Sequence, residues 1–262
     1  MSSDTFKITF LGTGTSVGVP VIGCSCDVCK STDPRNNRTR SSILITTGGM
    51  NLLVDSGPDL REQALRENIS SLDAVLYTHA HVDHVAGFDE LRAFCWFKQE
   101  PLPLHASAAT HQVLRAMFGW AFHKDNTYRG YVKPDPHTFT GKFSIGPLKI
   151  TPLPVTHGSV ETHGFLFQTP DGKRIAYVPD VNRFPAETLE LMKNLDLLIL
   201  DALRDTPHPT HLSVSEAVEI SAKLSPKNTL FTHLSHDVEH AELSARLPDN
   251  ILPAHDGLIV IL

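Results

Sequence analysis

The chain has little cysteine, little tryptophan and no excess of positive charge. Four cysteines in 262 residues are too few for a disulfide-stapled scaffold. A net charge of −6 argues against a broad basic face, so nucleic acid is not an expected partner. Basic residues gather only in PRNNRTR, where Arg35, Arg38 and Arg40 read as a solvated loop rather than a phosphate clamp. No apolar run approaches the ~20 residues of a membrane span. The longest, LDLLILDAL, is broken by aspartates and reads as a buried strand. The polar start MSSDTFKITF lacks the pattern of a signal peptide. Gly12-Thr13-Gly14 is followed by no Walker lysine, which excludes a nucleoside triphosphate loop. Its glycines read as allowing a sharp turn. The expected compartment is the reducing cytoplasm, where clustered thiols favour metal over disulfide.

What is present is an ordinary globular composition, 41% hydrophobic and 20% charged, on a length that suits one domain over residues 1–262. FKITFL, SILIT, NLLVD, DAVLYT, LKITPL, GFLFQT, RIAYVPD, LDLLILDA, NTLFTH and GLIVIL read as strands. DLREQALRE, SAATHQVLRAMF and SVSEAVEISAKL carry apolar residues at helical spacing, the last opening with a capping box, Ser213 and Glu216. Strands grouped between helices predict sheets of mixed direction with helices outside. Pro152 and Pro154 predict an edge or strand end, and residues 124–146 a long surface excursion. Cys95, in LRAFCWF, reads as plain core.

Histidine is abundant, fifteen in all, and falls at the ends of apolar runs. In DAVLYTHAHVDHVAG a strand runs into His79, His81, Asp83 and His84. In extended chain His79 and His81 point to one side and can grip one ion, while Asp83 and His84, past the strand, can face a second. Imidazole and carboxylate suit Zn²⁺, Mn²⁺ or Fe²⁺. Further ligands must come from elsewhere, and three later strand ends supply His157, Asp180 and His233. An aspartate so placed can give one oxygen to each ion.

This ordered set resembles the metallo-β-lactamase superfamily of binuclear hydrolases, over about residues 8–261. The resemblance implies an α/β, four-layer αββα sandwich with two mixed sheets. It implies that His79, His81 and His157 hold one metal, that Asp83, His84 and His233 hold the other, and that Asp180 bridges them. Asp55, in NLLVDSG, matches a position whose aspartate orients a ligand histidine.

Three of the four cysteines lie in GCSCDVC, and LFTHLSH carries His236 three residues after His233. Cys24, Cys26, Cys29 and His236 would complete a closed Cys₃His zinc site. With it, GTGTSVGVPVIGCSCDVC and THLSH resemble the branch of phosphoribosyl cyclic-phosphate phosphodiesterases. That branch implies two catalytic divalent metals, Zn or Mn, one structural Zn, and a small phosphodiester as substrate. It implies a general acid at His211, in DTPHPTHLSVSEA, in preference to the nearby His208. Alternatives on the same scaffold are a transfer-RNA 3′-processing nuclease, whose basic glycine-rich arm is absent here, a thioester or lactone hydrolase, and a factor like the coenzyme PQQ synthesis protein B. Substrate contacts are expected from loops at 88–98, 126–133 and 159–163, with His123 and His163 as ordinary loop histidines. The aromatics from Trp120 to Tyr131 suggest a homodimer surface.

Overall fold

A computed structural model describes residues 5–98 and 100–262, apart from the Phe97 side chain. Fourteen strands are described: β1 (Lys7–Gly12), β2 (Ser42–Thr47), β3 (Met50–Val54), β4 (Ala74–Leu76), β5 (Leu102–Ala106), β6 (Pro134–Thr138), β7 (Phe143–Ile145), β8 (Leu148–His157), β9 (Val160–Gln168), β10 (Arg174–Val178), β11 (Leu197–Asp201), β12 (Asn228–Thr232), β13 (Ile251–Pro253) and β14 (Ile259–Ile261). They form two seven-stranded sheets, β14-β1-β2-β3-β4-β5-β6 and β13-β12-β11-β10-β9-β8-β7. Each is antiparallel at one end and parallel at the other: β14 to β3 alternate in direction and β3 to β6 run together. Likewise β7 to β10 alternate and β10 to β13 run together.

The strand sequences explain the layers. In β11, Leu197 and Ile199 face the core between the sheets, while Leu198 and Leu200 face the outer core. A parallel strand buried on both faces needs such a continuous apolar run. Phe10, Ile43, Phe165, Phe167 and Tyr177 fill the space between the sheets. Outside the first sheet lie α1 (Leu60–Arg66), α2 (Val82–Val85), α3 (Arg92–Lys98), α4 (Ala108–Met117) and α5 (Gly119–Phe122). Outside the second lie α6 (Ala186–Leu191), α7 (Val214–Leu224) and α8 (His240–Arg246). Ser213 caps α7 with the expected box to Glu216. Cys95 is buried in the outer core of the first sheet. No helix among the described residues is long and apolar enough to cross a membrane.

Of four sequence expectations, three change and the edge placement of the prolines holds. Residues 124–146 hold two strands, β6 and β7, each at a sheet edge; short, proline-broken and polar, they carry no hydrophobic alternation. Residues 88–98 are not a loop but the end of a 3₁₀ turn, Ala86–Leu91, followed by α3, and residues 160–163 belong to β9. Pro152 and Pro154 sit inside β8, but past its pairing with β7, which stops at Ile150, so their missing N–H groups leave no ladder bond unmade.

The fourth concerns PRNNRTR. Arg35 is solvated and paired with Asp33, but Arg38 is only 2% exposed. Its guanidinium donates to Thr13 Oγ1 (2.7 Å) and the Ala254 carbonyl (2.6 Å) and faces His240 Nδ1 at 3.1 Å. Arg40 pairs with Asp59 at 3.0 Å. Asp256 accepts from the backbone and hydroxyl of both Thr13 and Thr39. The segment therefore stitches the N-terminal loop to the C-terminal turn. It also explains the glycines: a Cβ at Gly12 would lie 1.9 Å from the Arg40 carbonyl, and one at Gly14 2.8 Å from that of Arg38. They permit close backbone approach rather than a sharp turn, and the Asp256 carboxylate takes the Thr13 N–H that a phosphate would need.

Candidate metal centre

The parallel halves of both sheets end on the same side. Asp55 follows β3, His79 and His81 follow β4, His157 closes β8, Asp180 follows β10, Asp201 closes β11 and His233 follows β12. Strand β4 stops at Leu76, so His79 and His81 lie in the connection after it, with His81 still in extended backbone (φ −65°, ψ 150°), and Asp83 and His84 lie in α2. Asp55 and His233 adopt left-handed backbone, φ 65° and 59°. Such residues cost about 1–3 kcal/mol each and concentrate at functional sites.

The side chains converge in two clusters. His79, His81 and His157 offer ligand atoms within 4.8 Å of one another, and so do Asp83, His84, Asp180 and His233. His79 Nε2 is 2.9 Å from His81 Nδ1, which is 3.2 Å from His157 Nε2. His84 Nε2 is 3.3 Å from Asp83 Oδ2. Around a tetrahedral ion with ~2.0–2.1 Å bonds, neighbouring donors stand about 3.3–3.4 Å apart. Asp180 divides its oxygens between the clusters. Oδ2 lies 3.6 Å from His157 and 4.0 Å from His79; Oδ1 lies 3.2 Å from His84 and 3.4 Å from His233.

Electrostatics favour cations here. Burial holds His79 well below its usual pKa and lowers His157 and His233, the last to about 3. They are the neutral imidazoles that metal ligation requires. Burial alone would raise the Asp180 carboxyl, but the His233 and His84 imidazoles, charged at the acid end where the carboxyl would titrate, outweigh it and hold it well below the carboxylate range. His84 Nε2, Asp180 Oδ1 and both ring nitrogens of His233 are buried without a hydrogen-bond partner. Buried polar atoms are ordinarily paired, and orphaned atoms on three residues of one cluster fit a divalent cation.

The surroundings fix these donors. Asp55 Oδ2 accepts from His84 Nδ1 at 2.8 Å, while its two oxygens take the Thr78 N–H and hydroxyl. His157 Nδ1–H donates to the Thr210 carbonyl at 2.8 Å. Bonds of this kind set ring orientation and tautomer.

His211 stands at the rim. Its ring lies 4.6 Å from that of His157 and stacks on His233 at 4.7 Å. Its Nδ1 is 2.8 Å from Asp201 Oδ2. Burial alone would lower the His211 pKa, but the Asp201 carboxylate raises it. His208 is farther out, with its Nδ1 turned to Thr210, 5.2 Å from His211 ring to ring. Sequence reasoning missed Asp201, although LDLLILDA ends in an aspartate just as RIAYVPD does.

A third cluster lies apart. Cys24, Cys26 and Cys29 Sγ stand 3.3, 3.6 and 3.5 Å from His236 Nδ1. With ~2.3 Å Zn–S and ~2.0 Å Zn–N bonds, the tetrahedral S···N edge is about 3.5 Å. The Cys29 N–H donates to Cys26 Sγ, and its pull brings that thiol down to about 7.

Comparison with known proteins shows the family of the fold. Residues 50–234 match the β-lactamase superfamily domain model. The chain is 37% identical over 269 residues to an octanoyltransferase of Porphyromonas gingivalis, covering 98% of this chain and 51% of that protein. The chain thus spans about half the length of that relative. It is 31% identical over 221 residues to the coenzyme PQQ synthesis protein B of Methylorubrum populi, covering 74% of this chain and 72% of that one. A crystal structure of a new diphosphatase from the PhnP family superposes with a TM-score of 0.90 at 40% identity, over 98% of this chain and 97% of that one. The chain belongs to the metallo-β-lactamase superfamily, in its PhnP-like branch.

Proposed function

We propose that this protein is a binuclear phosphodiesterase acting on a small phosphodiester, with a cyclic ribose phosphate as the leading candidate. The observation that carries the reading is the split of the Asp180 carboxylate between two ligand clusters, with His211 beside them. Two divalent ions, zinc or manganese, when bound would activate water and neutralise charge on the phosphoryl oxygens. His79, His81 and His157 would hold one, Asp83, His84 and His233 the other, and Asp180 both. Cys24, Cys26, Cys29 and His236 would hold a structural zinc.

The rest falls to the chain's own groups. Water delivers hydroxide to phosphorus, and the bond from phosphorus to the leaving oxygen breaks with its electron pair on that oxygen. His211, lifted by Asp201, gives that oxygen its proton and regains one from the solvent. His208, the neighbouring imidazole outside the ligand set, lies farther out with its Nδ1 turned to Thr210. The transfer-RNA nuclease reading lacks support in a chain of net charge −6. The octanoyltransferase name belongs to a protein about half of which lies outside the match, so it does not bear on this centre.

A second reading is a substituted diphosphate as substrate, favoured by the 40% identical diphosphatase. The two differ in the leaving group, since an alkoxide needs a proton far more than a phosphate does. His211→Ala is therefore expected to lose about 10²–10⁴-fold in kcat on a cyclic ribose phosphate, but little on bis(p-nitrophenyl) phosphate, whose leaving group departs unaided. Equal losses on both would remove His211 as the acid. Wild-type turnover on diphosphates alone would establish the second reading.

A further inference from the structure

The loop that carries His211 holds a feature the proposed chemistry does not itself require. Three of its carbonyls are bound by donors from the flanks of the ligand-bearing strands. Asn182 Nδ2 donates to the His208 carbonyl at 3.2 Å and to the His211 carbonyl at 3.4 Å. His157 Nδ1–H takes the Thr210 carbonyl between them. Asn182 is itself pinned: its N–H donates to the Thr156 carbonyl at 2.8 Å, and Arg183 forms a β-bridge to Thr156. Asn182 lies two residues past Asp180, and Thr156 immediately precedes His157. The loop includes Pro207 and Pro209 and makes no ladder of its own before the Arg204–Ser213 bridge. The bond from the Leu203 N–H to the Leu212 carbonyl (2.9 Å) and that bridge close the base of the loop, while the Asn182 and His157 bonds hold residues 208–211 against the metal centre.

We infer that Asn182 is a positioning residue that fixes the height of the His211 imidazole over the metal centre. Asp201 orients the ring from its Nδ1 side; Asn182 holds the backbone from which the ring hangs. Both are needed because a hydrogen bond to the ring fixes rotation, whereas the approach of Nε2 to a leaving oxygen depends on where the Cα sits. A displacement near 1 Å in such a group can lower a rate about a hundredfold. The inference rests on the reading of His211 as proton donor.

The test uses the leaving-group ratio, kcat on a cyclic ribose phosphate divided by kcat on bis(p-nitrophenyl) phosphate. It is measured for wild type, His211→Ala, Asn182→Ala and Asn182→Leu, the last keeping most of the volume without the donor. Metal content and Tm are measured alongside. The expected result is a ratio about ten- to a hundredfold lower in both Asn182 variants, with wild-type metal content. A merely structural role would lower both rates together and leave the ratio alone. An altered ratio in His211→Ala with an unaltered one in the Asn182 variants overturns the inference and leaves the acid in place. An unaltered ratio in His211→Ala removes the acid itself and the inference with it.

Discussion

Asp180→Ala is expected to lower turnover at least about 10³-fold, the scale on which a preorganised electrostatic contact is lost, and to empty both clusters together. Asp180 is 2% exposed and faces both sets of ligands, one oxygen to each. Two divalent cations roughly 3.5–4 Å apart repel strongly in a low dielectric. An anion facing both clusters would make double occupancy tolerable. Removing it should weaken both ions, whereas His81→Ala touches only the cluster of His79 and His157. The fold should survive, because the carboxylate supports no sheet hydrogen bond. Elemental analysis after gel filtration decides the point. Retention of one full catalytic ion by Asp180→Ala would show that the aspartate serves a single site.

Cys26→Ser is expected to lower Tm by about 10 °C while leaving the two catalytic metals bound. The Cys₃His cluster ties residues 24–29 to His236, 212 positions from Cys24. Structural zinc in small domains binds with about 10–16 kcal/mol. Here the same ends are already joined by the Arg38 and Asp256 bonds, so only a fraction reaches stability. Some 3–4 kcal/mol at about 2–4 °C per kcal/mol, for a chain near this size, gives that shift. The measurement is a thermal melt with zinc analysis on the same sample. An unchanged Tm at one zinc fewer per chain would make the site dispensable to the fold.

The fold was legible where burial leaves a simple mark. β11 reads directly from LDLLILDA, because a strand covered on both faces must be apolar throughout. β6, with Pro134, Asp135 and His137, bears no such mark: it is a sheet-edge strand recruited by pairing with β5 rather than by its own pattern. The site shows the same division. His79, His81, Asp83 and His84 are adjacent in sequence, and strand-end His157, Asp180 and His233 follow in a recognisable order. Asp201 carries only the mark of a strand-end aspartate, and its part shows in its hydrogen bond to His211; Asn182, bonded to the carbonyls of the same loop, carries no local mark. Arg38 was misread because a charged loop and a buried guanidinium have the same local sequence. Only the tertiary partners Thr13, Ala254 and His240 separate them.

The most direct test of the account strips the protein with chelator, restores the structural zinc, and then adds Zn²⁺ or Mn²⁺ stepwise while following bis(p-nitrophenyl) phosphate hydrolysis. Turnover is expected to saturate at two further ions per chain, with His81→Ala remaining inactive throughout. Full activity at one ion, or none at two on any phosphodiester or diphosphate, would contradict a binuclear phosphodiesterase.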